Sequence, residues 1–313
     1  AYFHAEARRH VFVELCEEDA VKGMCGELVK AMYGTRDAAQ NWEVAYTAFM
    51  IEIGFINGKS TPCVFYHKEK ELRIVVHGDD FTMLGEEKEL DWFRQTISQK
   101  FEVKFRGRLG PCHGEQKSMR ILNRVVERSE DGIRYEADQR HAEIIVKHLG
   151  LEGESRSMST PGVKGIKGSE EEERELDVIL GSHDATMYRA IVARGIYLAQ
   201  DRSDIAFAVK ELSRRMSSPE TRDWQSLKRL GRYLLKRERA VSHFCYQSYP
   251  KHWSVWVDSD WAGCHRTRKS TSGGVIVFGS HAAKSWSTTQ QVIALSSGEA
   301  EYYSMVRGGS MGL

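Results

Sequence analysis

The chain has 313 residues, 41% hydrophobic and 28% charged, with 5 Pro and 27 Gly. That composition excludes a disordered or collagen-like chain and, at ~150 residues per domain, points to two or three domains. The net charge of +1 conceals an imbalance: from Asp201 onward 17 Lys and Arg face 10 Asp and Glu, and before it 28 face 34. A basic C-terminal part suits an anionic partner. No apolar run reaches the ~18 residues of a membrane span. The six cysteines are scattered without a Cys-x-x-Cys pair, which argues against a disulfide framework or zinc ribbon and for a reducing, intracellular setting. The chain begins Ala-Tyr-Phe and ends Gly-Gly-Ser-Met-Gly-Leu, with no signal-peptide pattern, and both ends read as cut.

In chain order, residues 28–54 read as a turn and a helix carrying Trp42, Phe49 and Ile53. Val64–His67, Leu72–Val76 and Phe81–Leu84 read as strands, with Gly78-Asp79-Asp80 a tight turn. A helix with Leu90, Phe93, Ile97 and Phe101 on one face follows. A strand pair is expected over 119–136, punctuated by Asp131-Gly132, then a helix near 138–149 ending at Gly150. Residues 152–175 read as a surface linker. Two helices are expected beyond it. One carries the stripe Ile205, Val209, Leu212, Met216, with Ser203 as its N-cap. The other runs from about Asp223 to Arg239, with Lys228, Arg232, Lys236 and Arg239 as a continuous basic stripe. Strands at Trp253–Val257, Gly274–Phe278 and Lys284–Ser287 precede a helix starting near Ser297.

Three constellations can carry chemistry. Asp79 and Asp80 at the tip of an apolar hairpin repel each other unless a cation compensates, which suits Mg²⁺; a solvated turn uses the same residues. Asp258 at a strand end and Glu301 on a later helix can meet at a sheet edge, again suiting a divalent metal, although Asp at strand ends and Glu in first helical turns are also ordinary. The basic stripe suits phosphate backbones, or a solvated helix face. His77, beside the acidic turn, fits a structural role at the strand end better than that of a base.

Taken together, these segments resemble the polymerase and ribonuclease H portion of a copia-type LTR retrotransposon Pol polyprotein. The resemblance rests on Leu28 through Trp42, His77-Gly78-Asp79-Asp80, Met187-Tyr188-Arg189 through Ala206, Asp258 through Gly263, Arg268 through Gly273, Ser285-Trp286-Ser287 and Ala294 through Tyr302, in that order. It implies an α/β (α+β) fold: a right-hand polymerase palm with an antiparallel sheet, a helical connection, and a truncated ribonuclease H-like mixed sheet. The domains implied are palm and fingers over 1–110, thumb and connection over 111–250, and ribonuclease H over 251–313.

The resemblance further implies catalytic, metal-binding roles for Asp79, Asp80, Asp258 and Glu301, with Mg²⁺ or Mn²⁺ as cofactor. Asp258 is preferred to Asp260, and Glu301 to Glu299. Implied partners are an RNA–DNA hybrid or primer-template, deoxynucleotides and other parts of the polyprotein, with no membrane. The activities implied are RNA-directed DNA synthesis and cleavage of RNA in a hybrid. His77 stands where the family has Tyr, Arg36 where it has Lys and Asp37 where it has Gln. The family's first palm acid falls before Ala1, and its third and fourth ribonuclease H acids fall after Leu313. The chain as it stands is therefore expected to be inactive in both reactions. The rival expectation is a non-catalytic nucleic-acid-binding remnant.

Overall fold

The computed structural model describes residues 1–153, 155–163, 178–264 and 266–313. The chain forms two compact units, Ala1–Arg106 and Gly107–Leu313. Most of the expected 152–175 linker lies outside the described residues.

In the first unit, β1 (Phe12–Val13) and β2 (Gly26–Glu27) form a small ribbon. Helix α1 (Ala38–Glu52) follows, then strands β3 (Ile56–Asn57), β4 (Val64–His67), β5 (Leu72–His77) and β6 (Asp80–Leu84), and helix α2 (Glu87–Lys100). The four strands form an antiparallel sheet in the order β3-β4-β5-β6. Strict alternation in β5 buries Leu72, Ile74 and Val76 and turns Arg73, Val75 and His77 outward, as a sheet with one covered face requires. The core under that face is aromatic: Trp42, Tyr46, Phe49, Phe55, Phe65, Phe93 and Phe101 are buried. Trp42 meets Phe101 edge-on at a centroid distance of 5.1 Å, and Phe49 meets it at 5.3 Å. This is the arrangement ring quadrupoles favour.

In the second unit, β7 (Ser118–Ile121), β8 (Arg124–Arg128) and β9 (Gly132–Glu136) form a meander where a strand pair was expected. The sheet is completed by β10 (Val241–Cys245), in the order β10-β9-β8-β7. Four helices pack together: α3 (Arg140–His148), α4 (Ser182–Leu198), α5 (Ser203–Ser213) and α6 (Thr221–Leu234). Among the described residues three helices, rather than the expected two, lie between residue 178 and β10. Helix α4 buries Tyr188, Ile191, Val192 and Leu198, and the Tyr188 hydroxyl donates to the Leu212 carbonyl at 2.8 Å. Ser203 is the first residue of α5 rather than its cap, which is Arg202. Helix α6 begins with a capping box in which Glu220 and Asp223 satisfy each other's backbone N–H groups.

One buried cation ties these helices together. Arg202 is 2% exposed. Its guanidinium donates to both Asp204 carboxylate oxygens (2.8 and 2.7 Å) and to the Arg237 carbonyl (2.8 Å), while the Tyr233 hydroxyl donates to Asp204 at 2.8 Å. Every charge there has a partner, as burial demands.

The rest of this unit is β11 (Trp253–Ser259), β12 (Thr271–Phe278), β13 (His281–Thr289) and helix α7 (Ser297–Gly312). The expectation of a mixed sheet here is corrected. β11-β12-β13 is antiparallel throughout, because each strand returns directly along its neighbour. Ala300, Ser304 and Gly308 of α7 are buried. A Cβ added to Gly308 would stand 2.5 Å from Val257 Cγ1, so small side chains let the helix lie close on β11. The molecule is thus an α/β protein built on antiparallel sheets. No helix among the described residues is long and apolar enough to cross a membrane.

Candidate functional site

The β5–β6 hairpin carries the first acid pair. Gly78 takes φ +62°, a conformation that favours glycine, and with Asp79 forms the turn; Asp80 is already in β6, opposite His77. The expected turn therefore holds one of the two acids and the strand holds the other. Asp79 is exposed and Asp80 half-buried. The apex is held from below: Trp42 Nε1 donates to the Gly78 carbonyl at 2.9 Å. Asp80 Oδ1 lies 3.5 Å from an Arg106 guanidinium nitrogen, an exposed pair worth little on its own. His77 is exposed at the end of β5. The hard oxygen donors fit a Mg²⁺ ion that keeps several waters, and Arg106 supplies a positive charge to the Asp80 carboxylate.

The second acid pair belongs to β11 and α7. Ser304 Oγ donates to the Asp258 main-chain carbonyl at 2.8 Å, which fixes the end of β11 against the helix. Glu301 lies one turn earlier on α7, on a face adjoining Ser304. The neighbouring acids have other work. Asp260 Oδ1 accepts from the Thr271 N–H at 2.5 Å. Glu299 accepts from the Leu295 N–H at 2.7 Å and the Tyr303 hydroxyl at 2.8 Å, and these bonds hold its carboxyl below the usual range. Ser296 caps the same helix end. The carboxylates of Asp258 and Glu301 carry no such bonds among the described residues.

The basic stripe is corrected. Helix α6 ends at Leu234, so only Lys228 and Arg232 share its face, while Lys236 and Arg239 lie beyond it. Arg239 donates to both Glu136 oxygens at 2.6 and 2.8 Å, because the chain after α6 turns to feed β10 alongside β9. Arg232 and Lys236 are exposed and Lys228 is half-buried, which leaves a shorter cationic patch than four residues.

Among the described residues, the one group of three side chains with metal-ligating atoms close together is Asp131, His243 and Cys245. It contains none of the four acids expected from the sequence. Sequence reasoning missed it because Asp131 and His243 come together only through the pairing of β9 with β10. It also missed Trp42 and Arg106 as neighbours of the acid hairpin; the periodicity around Trp42 indicates burial and says nothing of its N–H.

An α/β chain with an acidic hairpin apex and a second acid pair on a three-stranded sheet with its helix is the class these features define. The chain is 25% identical over 317 aligned residues to the retrovirus-related Pol polyprotein from transposon TNT 1-94 of Nicotiana tabacum, covering 99% of this chain and 23% of that protein. It is 28% identical over 297 residues to the corresponding polyprotein from transposon RE2 of Arabidopsis thaliana, covering 90% and 18%. A shorter stretch of 126 residues is 34% identical to the secreted RxLR effector protein 161 of Plasmopara viticola, covering 40% of this chain and 82% of that protein. No protein-family model matches the chain, and no solved structure matches it. Over nearly its whole length the chain is thus similar to retrovirus-related Pol polyproteins of plant transposons. It spans about a fifth of the length of the polyproteins it matches.

Proposed function

We propose that this chain is the reverse transcriptase palm and ribonuclease H region of an intracellular retrotransposon polyprotein. In this reading it engages an RNA–DNA hybrid or primer-template. The observation that carries the reading is the β5–β6 hairpin: two acids at its end, the turn carbonyl pinned by Trp42, and Asp79 open to solvent. Asp79 and Asp80 would hold Mg²⁺, or Mn²⁺, which when bound supplies charge neutralisation at a nucleotide phosphate. In this reading Asp79 would bind the ion and Asp80 would balance charge with Arg106. Asp258 and Glu301 would hold the same ion beside the RNA strand. Arg232 and Lys236, with Lys228, would take the phosphate backbone, positioning it without reading sequence.

The stretch on its own is proposed to bind hybrid without turnover. Neither acid pair gathers a third metal-ligating side chain among the described residues, and two carboxylates make a sparse clamp for in-line displacement.

Fluorescence anisotropy with a labelled RNA–DNA hybrid, run alongside primer extension and hybrid cleavage in Mg²⁺, tests both parts. Binding should weaken steeply with salt. Arg232→Ala and Lys236→Ala should each reduce the salt slope by about one. Salt-independent binding would remove the nucleic-acid reading. Turnover abolished by Asp79→Asn would overturn the non-catalytic part and leave the family roles standing.

A further inference from the structure

Two segments more than a hundred residues apart in the chain meet at one corner of the β7–β10 sheet. β10 pairs with β9 so that Cys245 stands opposite Gly132 and His243 opposite Arg134. His243 and Cys245 are two residues apart on a strand and therefore leave the same face. Asp131 occupies the turn just before β9. Its Oδ1 lies 3.3 Å from His243 Nε2, and Cys245 Sγ lies 3.6 Å from His243 Nδ1. One ligand atom from each of the three residues lies within 4.8 Å of the other two, and all three residues are exposed.

We propose that Asp131, His243 and Cys245 bind a divalent transition-metal ion of the zinc class at this corner. The donor set is the first argument. Carboxylate, imidazole and thiolate together are ligands of Zn²⁺ and its neighbours, whereas Mg²⁺ avoids sulfur. Spacing is the second. With bonds of ~2.0 Å to nitrogen and oxygen and ~2.3 Å to sulfur, the edges of a tetrahedral site are ~3.3–3.6 Å, and the two separations above already fall there. The imidazole now has one nitrogen toward each neighbour. It can give a single ion only one of them, so binding needs a modest turn of the ring while the second nitrogen faces outward.

The surroundings hold the ligands in place. Ser129 Oγ donates to Asp131 Oδ1 at 2.8 Å, and the Tyr246 N–H donates to the Asp131 carbonyl at 2.8 Å. The Cys245 carbonyl is 2.7 Å from His281 Nε2. Backbone pairing thus fixes both sides of the site before any ion arrives, and a fourth coordination position is open to water. On binding, the Cys245 S–H bond breaks, its proton goes to solvent and a sulfur–metal bond forms, so affinity rises with pH. The ion would cross-link β10 to the β8–β9 turn. The site shares no residue with the two acid pairs and stands or falls apart from the polymerase reading.

The test is a Co²⁺ titration of the whole chain under reducing conditions, competed with Zn²⁺ and read by absorbance. Expected are one ion per chain, a thiolate-to-cobalt charge-transfer band in the near ultraviolet, and displacement by Zn²⁺ but not by Mg²⁺. Cys245→Ser should abolish the band. His243→Gln and Asp131→Asn should each weaken binding by ~10-fold or more, and Ser129→Ala less. Cys264→Ser, remote from the site, should leave band and affinity unchanged. Because the three ligands are exposed, circular dichroism should show every variant folded. A rise in melting temperature with Zn²⁺ should appear in wild type and in Cys264→Ser but not in the ligand variants. A band that survives Cys245→Ser, an affinity unchanged in His243→Gln, or no saturable binding of either ion would overturn the proposal.

Discussion

Both acid-bearing strand ends are held the same way, and they differ in what stands behind the holding bond. In the first unit Trp42 of α1 donates to the Gly78 carbonyl, one residue before Asp79. In the second, Ser304 of α7 donates to the carbonyl of Asp258 itself. Each bond positions the backbone and leaves a carboxylate free. Trp42, however, belongs to a core of buried aromatic rings, whereas Ser304 belongs to a stripe of small residues where helix and sheet nearly touch. A large side chain anchors the hairpin by filling space; a small one anchors β11 by permitting approach. The two regions should therefore fail in opposite ways, the first when volume is removed and the second when it is added.

The largest effect should come from Trp42→Ala, at about 3–5 kcal/mol of stability, since it opens a cavity among Tyr46, Phe101 and their neighbours. Chemical denaturation checks it. Trp42→Phe should recover most of that loss without restoring the bond to Gly78. Arg202→Ala should cost about 3 kcal/mol by leaving the Asp204 carboxylate without its cation, with Tyr233 as its remaining donor, and two main-chain carbonyls without a partner.

The same pair sets a pH dependence. Burial alone would raise the Asp204 carboxyl, but bonds from Arg202 and Tyr233 outweigh it and hold the group below its usual range. Its folded value thus lies under the unfolded ~3.9, so its stabilisation is present above about pH 4 and is lost as pH falls through the folded value. Acid unfolding followed by circular dichroism should show this component missing in Asp204→Asn.

Gly308→Ala should cost about 1–3 kcal/mol through overpacking against Val257, a substitution that would stabilise most exposed helices. Ser304→Ala should cost about 1 kcal/mol. If Gly308→Ala proved harmless, the close-approach account of α7 would be wrong.

The smallest effect is chemical. Burial opposes ionisation of the Cys264 thiol, yet bonds from Thr267 and Arg214 bring it down to about 7. Iodoacetamide should therefore label Cys264 with a rate that rises through pH 7. Arg214→Met should slow labelling at that pH several-fold, with little effect on stability.

What could be read in the sequence followed its local periodicities. Leu72, Ile74 and Val76 announce β5 by alternation, and Phe93 and Ile97 announce α2 by helical spacing; both are buried as expected. Helix α4 escaped notice because it is apolar on more than one face and carries Gly195 at a close approach to Val209, so no polar–apolar stripe marks it. β10 escaped because Val-Ser-His-Phe-Cys is largely exposed at a sheet edge. Its pairing with β9, and with it the Glu136–Arg239 bridge and the Asp131–His243–Cys245 corner, depends on a contact over a hundred residues long. Local spacing carries no trace of that contact. The bond from the Thr271 N–H to Asp260 likewise depends on the pairing of β11 with β12, whereas Glu299 accepts from Leu295 within a local Ser296-x-x-Glu299 helix start.

The proposed function needs the hairpin apex to hold a divalent cation. Calorimetric titration of Mn²⁺ into the chain with primer-template bound tests it most directly, with Asp79→Asn and Asp80→Asn measured in parallel. A saturable binding heat is expected in wild type, lost with Asp79→Asn and reduced with Asp80→Asn. Superimposable isotherms for the three proteins would contradict it.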